Sequence, residues 1–212
     1  MILAAGESSR MGRDKALLPW PPMIFEQTID EQMNDEQAAP SGQTFLSAAI
    51  RSLGSADFIV VVAGNNAEAL SPIVYSNGGS LIVNPDPGRG QFSSLRLGLT
   101  EVLNRGRDAA MITLVDRPAA KATTVQALRE AFEAAPREVW ALVPEFAGKH
   151  GHPYIAGREM IEQFLRAPET SNAREIEHAA QEHIQYLTVD DPFVALNINT
   201  PEDYAALTTN PA

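Results

Sequence analysis

The chain has 212 residues, 44% of them hydrophobic and 20% charged, and no cysteine. This composition fits one globular domain over residues 1–212 and excludes disulfides and thiolate metal sites. The formal net charge of −11 repels phosphate backbones, so we expect no nucleic acid partner. No apolar run is long enough to span a bilayer or forms a signal peptide, so we expect no membrane association and a cytoplasmic location.

Strand-like and helix-like stretches alternate along the chain. Ile2–Ala5 and the β-branched run Phe58–Gly64 are typical of buried strands. Further strands are predicted in "SLIVNPDPG", "AAMITLVDRP", "EVWALVPEF" and "IQYLTV". Helices are predicted in "TFLSAAIRSLG", "SSLRLGLTEVLNRG", "TTVQALREAFEAA", "NAREIEHAAQEH" and "NTPEDYAAL". The alternation predicts a mostly parallel sheet covered by helices on both faces.

The stretch Pro21–Gln43 departs from this alternation. It is acidic and rich in glutamine, asparagine and proline. We interpret it as an exposed excursion, part helical and part mobile, and favour a solvated loop without a role. The alternative is a lid over the site, because the stretch leaves the chain beside a basic loop.

That basic loop is the strongest functional signal. It follows the first predicted strand and carries three of the 16 basic residues, Arg10, Arg13 and Lys15. Gly6 would let the backbone turn tightly and approach a ligand, and N–H groups from Gly6 to Ser9 could surround an anion. The spacing matches neither a Walker loop nor a dinucleotide fingerprint, which argues against kinase-like NTPases and NAD enzymes. Phosphate binding is favoured over a basic surface turn.

Other polar residues allow two interpretations each. Asp116 ends a predicted strand at the ligand edge of the sheet, which favours metal binding over capping of the next turn. Ser93 and Ser94 either cap a helix or contact a nucleotide. His150 and His152 lack an obvious third metal ligand, which favours a role for His150 other than metal binding.

The segment "LAAGESSRMGRDKALLP" resembles the nucleotidyltransferase signature L-A-A-G-x-S-x-R-M-G-x-x-K-x-L-L-P of the MobA-like NTP transferase family. Within that family it is most similar to the molybdenum cofactor cytidylyltransferases. Further segments resemble family motifs in the same order: "NPDPGRGQFSSLRLGL", "LVDRP", "GHPYIAG" and "NINTPEDY". The resemblance covers nearly the whole chain. It implies a three-layer α/β/α, Rossmann-like fold of the nucleotide-diphospho-sugar transferase type.

The resemblance also implies an activity and its residues. The activity is Mg²⁺-dependent transfer of CMP from CTP, with GTP less favoured, to a phosphorylated acceptor of the molybdopterin type, releasing pyrophosphate. The catalytic residues would be Arg10, Lys15 and Asp116. Nucleotide binding would involve Leu3, Ala4, Ala5, Gly6, Ser8, Ser9, Arg10, Lys15, Ser93, Ser94 and Arg96. Asp116 and Asn197 would hold the metal, and the acceptor side would include His152 and Asn199.

Three departures from the family pattern leave alternatives open. The excursion replaces a short glycine turn, "NINTP" is nearer the guanylyl branch than the cytidylyl branch, and Arg117 stands where glutamine or methionine is usual. The alternatives are a sugar-phosphate or other small phospho-acceptor nucleotidyltransferase, and a non-catalytic nucleotide-binding accessory protein of the same fold.

Overall fold

The computed structural model describes residues 1–6, 11–20 and 43–209, the last two without side chains. This part of the chain forms a sheet of eight strands in the order β3-β2-β1-β4-β7-β5-β6, with β8 beside β5. The strands are β1 (Ile2–Ala4), β2 (Val60–Ala63), β3 (Ser80–Val83), β4 (Ala109–Leu114), β5 (Ala141–Phe146), β6 (Lys149–His150), β7 (Tyr154–Gly157) and β8 (Ile184–Thr188). Only β6 and β7 run antiparallel to their described neighbours, so the predicted mostly parallel mixed sheet is confirmed.

Seven helices lie within the described ranges. They are α1 (Phe45–Ser52), α2 (Ala67–Ser76), α3 (Gln91–Asn104), α4 (Ala122–Glu133), α5 (Arg158–Arg166), α6 (Ala173–Ala179) and α7 (Pro201–Thr209). Asn172 and Glu175 form the predicted capping box at the start of α6. The sequence did not predict α2, which contains Pro72, or α5. None of the described helices is long and apolar enough to cross a membrane.

Side chains alternate between two cores along the central strands, because successive strand residues point to opposite faces. Leu3 and Val60 pack with α3 and α5 on one face. Ile2 and Val61 pack with α1 and α2 on the other. This arrangement confirms the three-layer α/β/α fold.

Gly98 lets α3 lie close against the sheet. A Cβ atom at this position would overlap the side chains of Met1 and Val62, so a larger residue would push the helix away. The close packing holds the N-terminal end of α3 near the carboxyl ends of the central strands, where ligands bind in open α/β sheets.

The two ends of the predicted excursion lie side by side. Pro19 and Thr44 form an antiparallel bridge, and the N–H of Trp20 donates to the carbonyl oxygen of Gln43 at 2.9 Å. The chain therefore leaves the sequence pattern of the family that it resembles, and returns to that pattern, at positions adjacent in space. Residues 21–42 lie outside the described residues, so the loop and lid interpretations stay predictions.

Candidate active site

A cavity of about 300 Å³ lies at the carboxyl ends of β1 and β4. Its walls come from the loop after β1, the residues after β4 and the start of α3. Lining residues include Leu3, Ala5, Gly6, Lys15, Ser94 and Asp116. The cavity thus brings together residues from separate predicted motifs at the ligand edge of the sheet.

Lys15 and Asp116 meet at this cavity, and Asn199 contacts Lys15. The Lys15 Nζ atom is 3.6 Å from Asp116 Oδ2 and donates to Asn199 Oδ1 at 3.3 Å. Lys15 is only 8% exposed. Asp116 Oδ1 is buried and has no hydrogen-bond partner among the described residues. Because buried polar atoms in native proteins are nearly always paired, this oxygen marks a position for a ligand or a cation.

Asp14 and Asn66 anchor the turn that carries Lys15. Asp14 Oδ1 accepts the N–H of Ala16 at 2.9 Å, and its Oδ2 accepts from Asn66 Nδ2 at 2.6 Å. The same amide nitrogen donates to the carbonyl oxygen of Ala4 at 2.9 Å. Sequence reasoning missed Asn66; its signal is its position in "GNN" after β2, at the same sheet edge as the basic loop.

Gly12 makes a tight turn in the loop that follows β1. Gly12 has a φ of 66°, a left-handed conformation that glycine adopts at little cost. Gly6 does not have a positive φ, and a Cβ atom there would meet no atom of the described residues within 4 Å. Residues 7–10 lie outside the described residues, so the tight turn expected at Gly6 stays a prediction. The open space beside Gly6 is compatible with the predicted approach of a ligand.

The structure places the two predicted asparagines near the C-terminus differently. Asn197 is exposed, and among the described residues the amide that reaches the Lys15–Asp116 pair belongs to Asn199. The intervening Ile198 is buried, and its N–H donates to the carbonyl oxygen of Asp116 at 2.9 Å. Sequence likeness could not decide which of two asparagines flanking a buried residue turns toward the site.

Asp203 holds the backbone that presents Asn199. Its Oδ2 atom accepts the N–H groups of Asn199 at 2.8 Å and Thr200 at 2.9 Å. These two hydrogen bonds lower the pKa of the Asp203 carboxyl below its ordinary value. The first turn of α7 therefore fixes the position of one residue of the cluster.

The two serines of α3 have a shared partner. Asn84 Nδ2 donates to Ser93 Oγ at 2.8 Å and to Ser94 Oγ at 2.9 Å. Neither serine is the N-cap, which is Gly90, a residue without a side chain to cap the helix. Gly90 and Gln91 line the cavity, so the uncapped N-terminus of α3 borders it.

Arg96 is not brought to the cavity. Its guanidinium donates to the carbonyl oxygens of Leu165 at 3.0 Å and Ala167 at 2.9 Å. Because these contacts tie α3 to the end of α5, the predicted nucleotide contact of Arg96 has no support in its placement. Three other predicted positions lie outside the described residues: Ser8, Ser9 and Arg10.

Residues 1–185 match the family model described as the MobA-like NTP transferase domain. The chain belongs to this family. It is 26% identical over 211 residues to the molybdenum cofactor cytidylyltransferase of Escherichia coli (strain K12). The aligned region covers 96% of this chain and 92% of the relative. The family and this relative make the chain a nucleotidyltransferase.

Solved structures agree with the fold. The Rv0371c protein of Mycobacterium tuberculosis H37Rv is 25% identical, with a TM-score of 0.74 over 98% of this chain and 94% of that one. A nucleotidyl transferase from Methanothermobacter is 19% identical, with a TM-score of 0.72 over 98% of this chain and 94% of that one. Both structures cover almost the whole nucleotidyltransferase chain.

A second cavity of about 460 Å³ adjoins the first. The two cavities share four lining residues: Leu3, Gly90, Gln91 and Leu114. The second is also lined by Arg117 and His152. The nucleotidyltransferase therefore has two adjacent chambers at the sheet edge, with the Lys15–Asp116 pair in the smaller one.

His152 is held neutral in the larger cavity. Burial, with the nearby charge of Arg117 as a smaller cause, lowers the pKa of His152 to about 3. Its Nδ1 atom is buried and has no hydrogen-bond partner in the described ranges. His150 lies apart, stacked on Tyr186 with ring centroids 3.9 Å apart. The described residues contain no group of three histidine, cysteine or acidic side chains that could hold a metal.

Buried Tyr154 and half-buried Glu177 form a pair in the wall of the larger cavity. Burial, followed by the charge and hydrogen bond of Glu177, raises the pKa of Tyr154. Burial likewise raises the pKa of Glu177, and its hydrogen bond with Tyr154 opposes that rise. The pair also lines a third cavity of about 360 Å³, so it separates two chambers.

Proposed function

We propose that this nucleotidyltransferase transfers CMP from CTP to a phosphorylated acceptor of the molybdopterin type, with Mg²⁺ bound, and releases pyrophosphate. The observation that carries the proposal is the Lys15–Asp116 pair in the smaller cavity, with Asn199 in contact with Lys15. The similarity to the E. coli cytidylyltransferase over 96% of the chain supports the nucleotide and the acceptor. GTP is the alternative nucleotide, and a sugar phosphate is the alternative acceptor.

Asp116 fits a magnesium ligand. Mg²⁺ takes one or two protein carboxylates and completes its shell with phosphate and water oxygens. The buried Asp116 Oδ1, which has no partner among the described residues, supplies one such oxygen. The Asn199 amide oxygen contacts Lys15, which in turn pairs with Asp116. When bound, the metal would neutralise charge on the phosphate oxygens of the nucleotide.

The protein's own groups would position the nucleotide and stabilise the departing charge. The backbone from Leu3 to Gly6 would hold the base and ribose, and Lys15 would bind the triphosphate and stabilise charge developing on pyrophosphate. The uncapped N-terminus of α3 would add N–H groups and a partial positive charge. Arg10 stays a predicted partner of the triphosphate.

The reaction would need no strong general base. An oxygen of the acceptor phosphate attacks the α-phosphorus, a new phosphorus–oxygen bond forms, and the bond to the bridging oxygen of pyrophosphate breaks. The acceptor phosphate is already an anion at neutral pH, so no proton has to be removed from it. A neutral His152 with a pKa of about 3 is consistent with this assignment, because such a group is a weak base at pH 7.

A turnover screen tests the proposal. CTP and GTP are incubated with molybdopterin or sugar phosphates, with Mg²⁺ or with a chelator, and pyrophosphate release is measured. We expect turnover with CTP, molybdopterin and Mg²⁺, and its loss in Lys15→Ala but not in the control Lys149→Ala, which removes an exposed lysine of β6. A thermal shift with CTP but no pyrophosphate from any acceptor would instead favour a non-catalytic nucleotide-binding protein.

A further inference from the structure

Arg117 has an unsatisfied guanidinium next to the catalytic cluster. It directly follows Asp116, and its Nη1 atom donates to the carbonyl oxygen of Leu196 at 3.2 Å. Its Nε atom is buried and has no hydrogen-bond partner among the described residues. Removing a guanidinium from water costs free energy unless its donors are paired, and the carboxylate that precedes it in the chain, Asp116, is paired with Lys15. The arrangement is incomplete without a further anion.

A second unpaired atom lies on the same cavity. His152 and Arg117 both line the larger chamber, and His152 Nδ1 is also buried without a partner in the described part of the chain. Two orphaned nitrogens from separate segments on one cavity are not explained by packing, because buried polar atoms are paired in nearly all native sites. Arg117 Nε can only donate, so the ligand group that pairs with it carries an acceptor oxygen, and His152 Nδ1 can donate to the same group in one of its two neutral tautomers.

We infer that Arg117 binds the phosphate monoester of the acceptor, with His152 beside it, and thereby selects acceptors that attack through a phosphate oxygen. The inference rests on the proposed function, since it names the acceptor subsite of that reaction. A guanidinium presents a planar set of donors that matches a phosphate group. The bound phosphate oxygen itself forms the new bond to the α-phosphorus, and the bond from that phosphorus to pyrophosphate breaks.

The position of Arg117 also suits this role. The larger chamber shares Leu3 and Leu114 with the smaller one, so a group at Arg117 lies next to the chamber that contains Asp116. A phosphate there would lie next to the chamber in which Lys15 and Asp116 are proposed to hold the nucleotide's phosphates. An acceptor that attacked through a hydroxyl would need a base, and would leave the Arg117 Nε atom without a strong acceptor.

Binding of a minimal acceptor group tests the inference separately from turnover. The protein is saturated with Mg²⁺ and a CTP analogue that has a methylene group between its α- and β-phosphorus atoms, so that no transfer occurs. Methyl phosphate is then titrated by calorimetry into wild type, Arg117→Gln, Arg117→Lys and the control Arg129→Gln, which removes an exposed arginine of α4. Circular dichroism checks that each variant is folded.

We expect Arg117→Gln to weaken methyl phosphate binding roughly tenfold or more, because a hydrogen-bonded charge is lost. Arg117→Lys should bind with intermediate affinity, since it keeps the charge but not the planar donor set. The affinity for the CTP analogue should change less than about twofold, and Arg129→Gln should match wild type in both titrations.

Each other outcome has one meaning. Methyl phosphate binding that is absent in wild type, or equal in wild type and Arg117→Gln, overturns the inference. Loss of the CTP analogue together with methyl phosphate in Arg117→Gln also overturns it, because Arg117 would then act on the nucleotide. If wild type binds neither the CTP analogue nor its GTP counterpart, the proposed function fails. Methyl phosphate is then titrated into nucleotide-free wild type and Arg117→Gln, and weaker binding by Arg117→Gln supports the inference, whereas equal binding overturns it.

Discussion

Replacement of Asn66 should loosen the turn that presents Lys15. The Asn66 side chain donates to Asp14 Oδ2 at 2.6 Å and to the carbonyl oxygen of Ala4 at 2.9 Å, and it accepts the N–H of Gly64 at 3.0 Å. It therefore joins the ends of β1 and β2 to the basic loop. Asn66→Ala removes all three hydrogen bonds at once and leaves the backbone of the three segments otherwise unchanged.

The magnitude follows from the kind of each bond. A neutral hydrogen bond contributes about 1 kcal/mol and one to a charged group about 1.5 to 3 kcal/mol, and water replaces part of this at a half-buried side chain. We expect Asn66→Ala to lower the free energy of unfolding by about 2 to 3 kcal/mol. For a chain of this length, that is a fall in the melting temperature of roughly 4 to 12 °C.

Urea unfolding and nucleotide kinetics check this prediction. Asn66→Asp should be more damaging than Asn66→Ala, because it keeps the acceptor for Gly64 but sets a second carboxylate against Asp14. Both variants should raise the KM for the nucleotide. The control Asn77→Ala, at the far end of α2, should cost no more than about 1 kcal/mol. A stability of Asn66→Ala equal to wild type, or an Asn66→Asp variant more stable than Asn66→Ala, would refute the reasoning.

Three further predictions concern single side chains. Lys15→Ala should reduce pyrophosphate release at least ~100-fold with circular dichroism unchanged, because it removes the cation beside Asp116; a smaller loss would contradict the role given to Lys15. The lowered pKa of Asp203 means that wild type should be more stable than Asp203→Asn at neutral pH, and that this advantage should disappear as pH falls below 3.8, measured by urea unfolding. The raised pKa of Glu177 has the opposite effect on stability: wild type should lose stability relative to Glu177→Gln as pH rises above 4.5. A stability difference that does not change with pH would show that the hydrogen bond with Tyr154 offsets the burial of Glu177.

The sequence by itself determined the fold class, the family and the loop where the site begins. The β-branched run of β2 and the alternation of strands with helices predict the layered sheet, because those periodicities depend only on local geometry and burial. The segment from Leu3 to Pro19 is a local motif, so it could be matched residue by residue. Asp116 could be placed at the ligand edge because it ends a strand.

Only the tertiary structure decided which side chains meet. Lys15 and Asn199 are 184 positions apart along the chain, and nothing local selects Asn199 over Asn197. The Asp14–Asn66 contact, the use of Arg96 to tie two helices, and the unpaired nitrogens of Arg117 and His152 also depend on long-range packing. Local patterns report each residue's own burial and conformation, whereas pairing depends on how distant segments are brought together by the core.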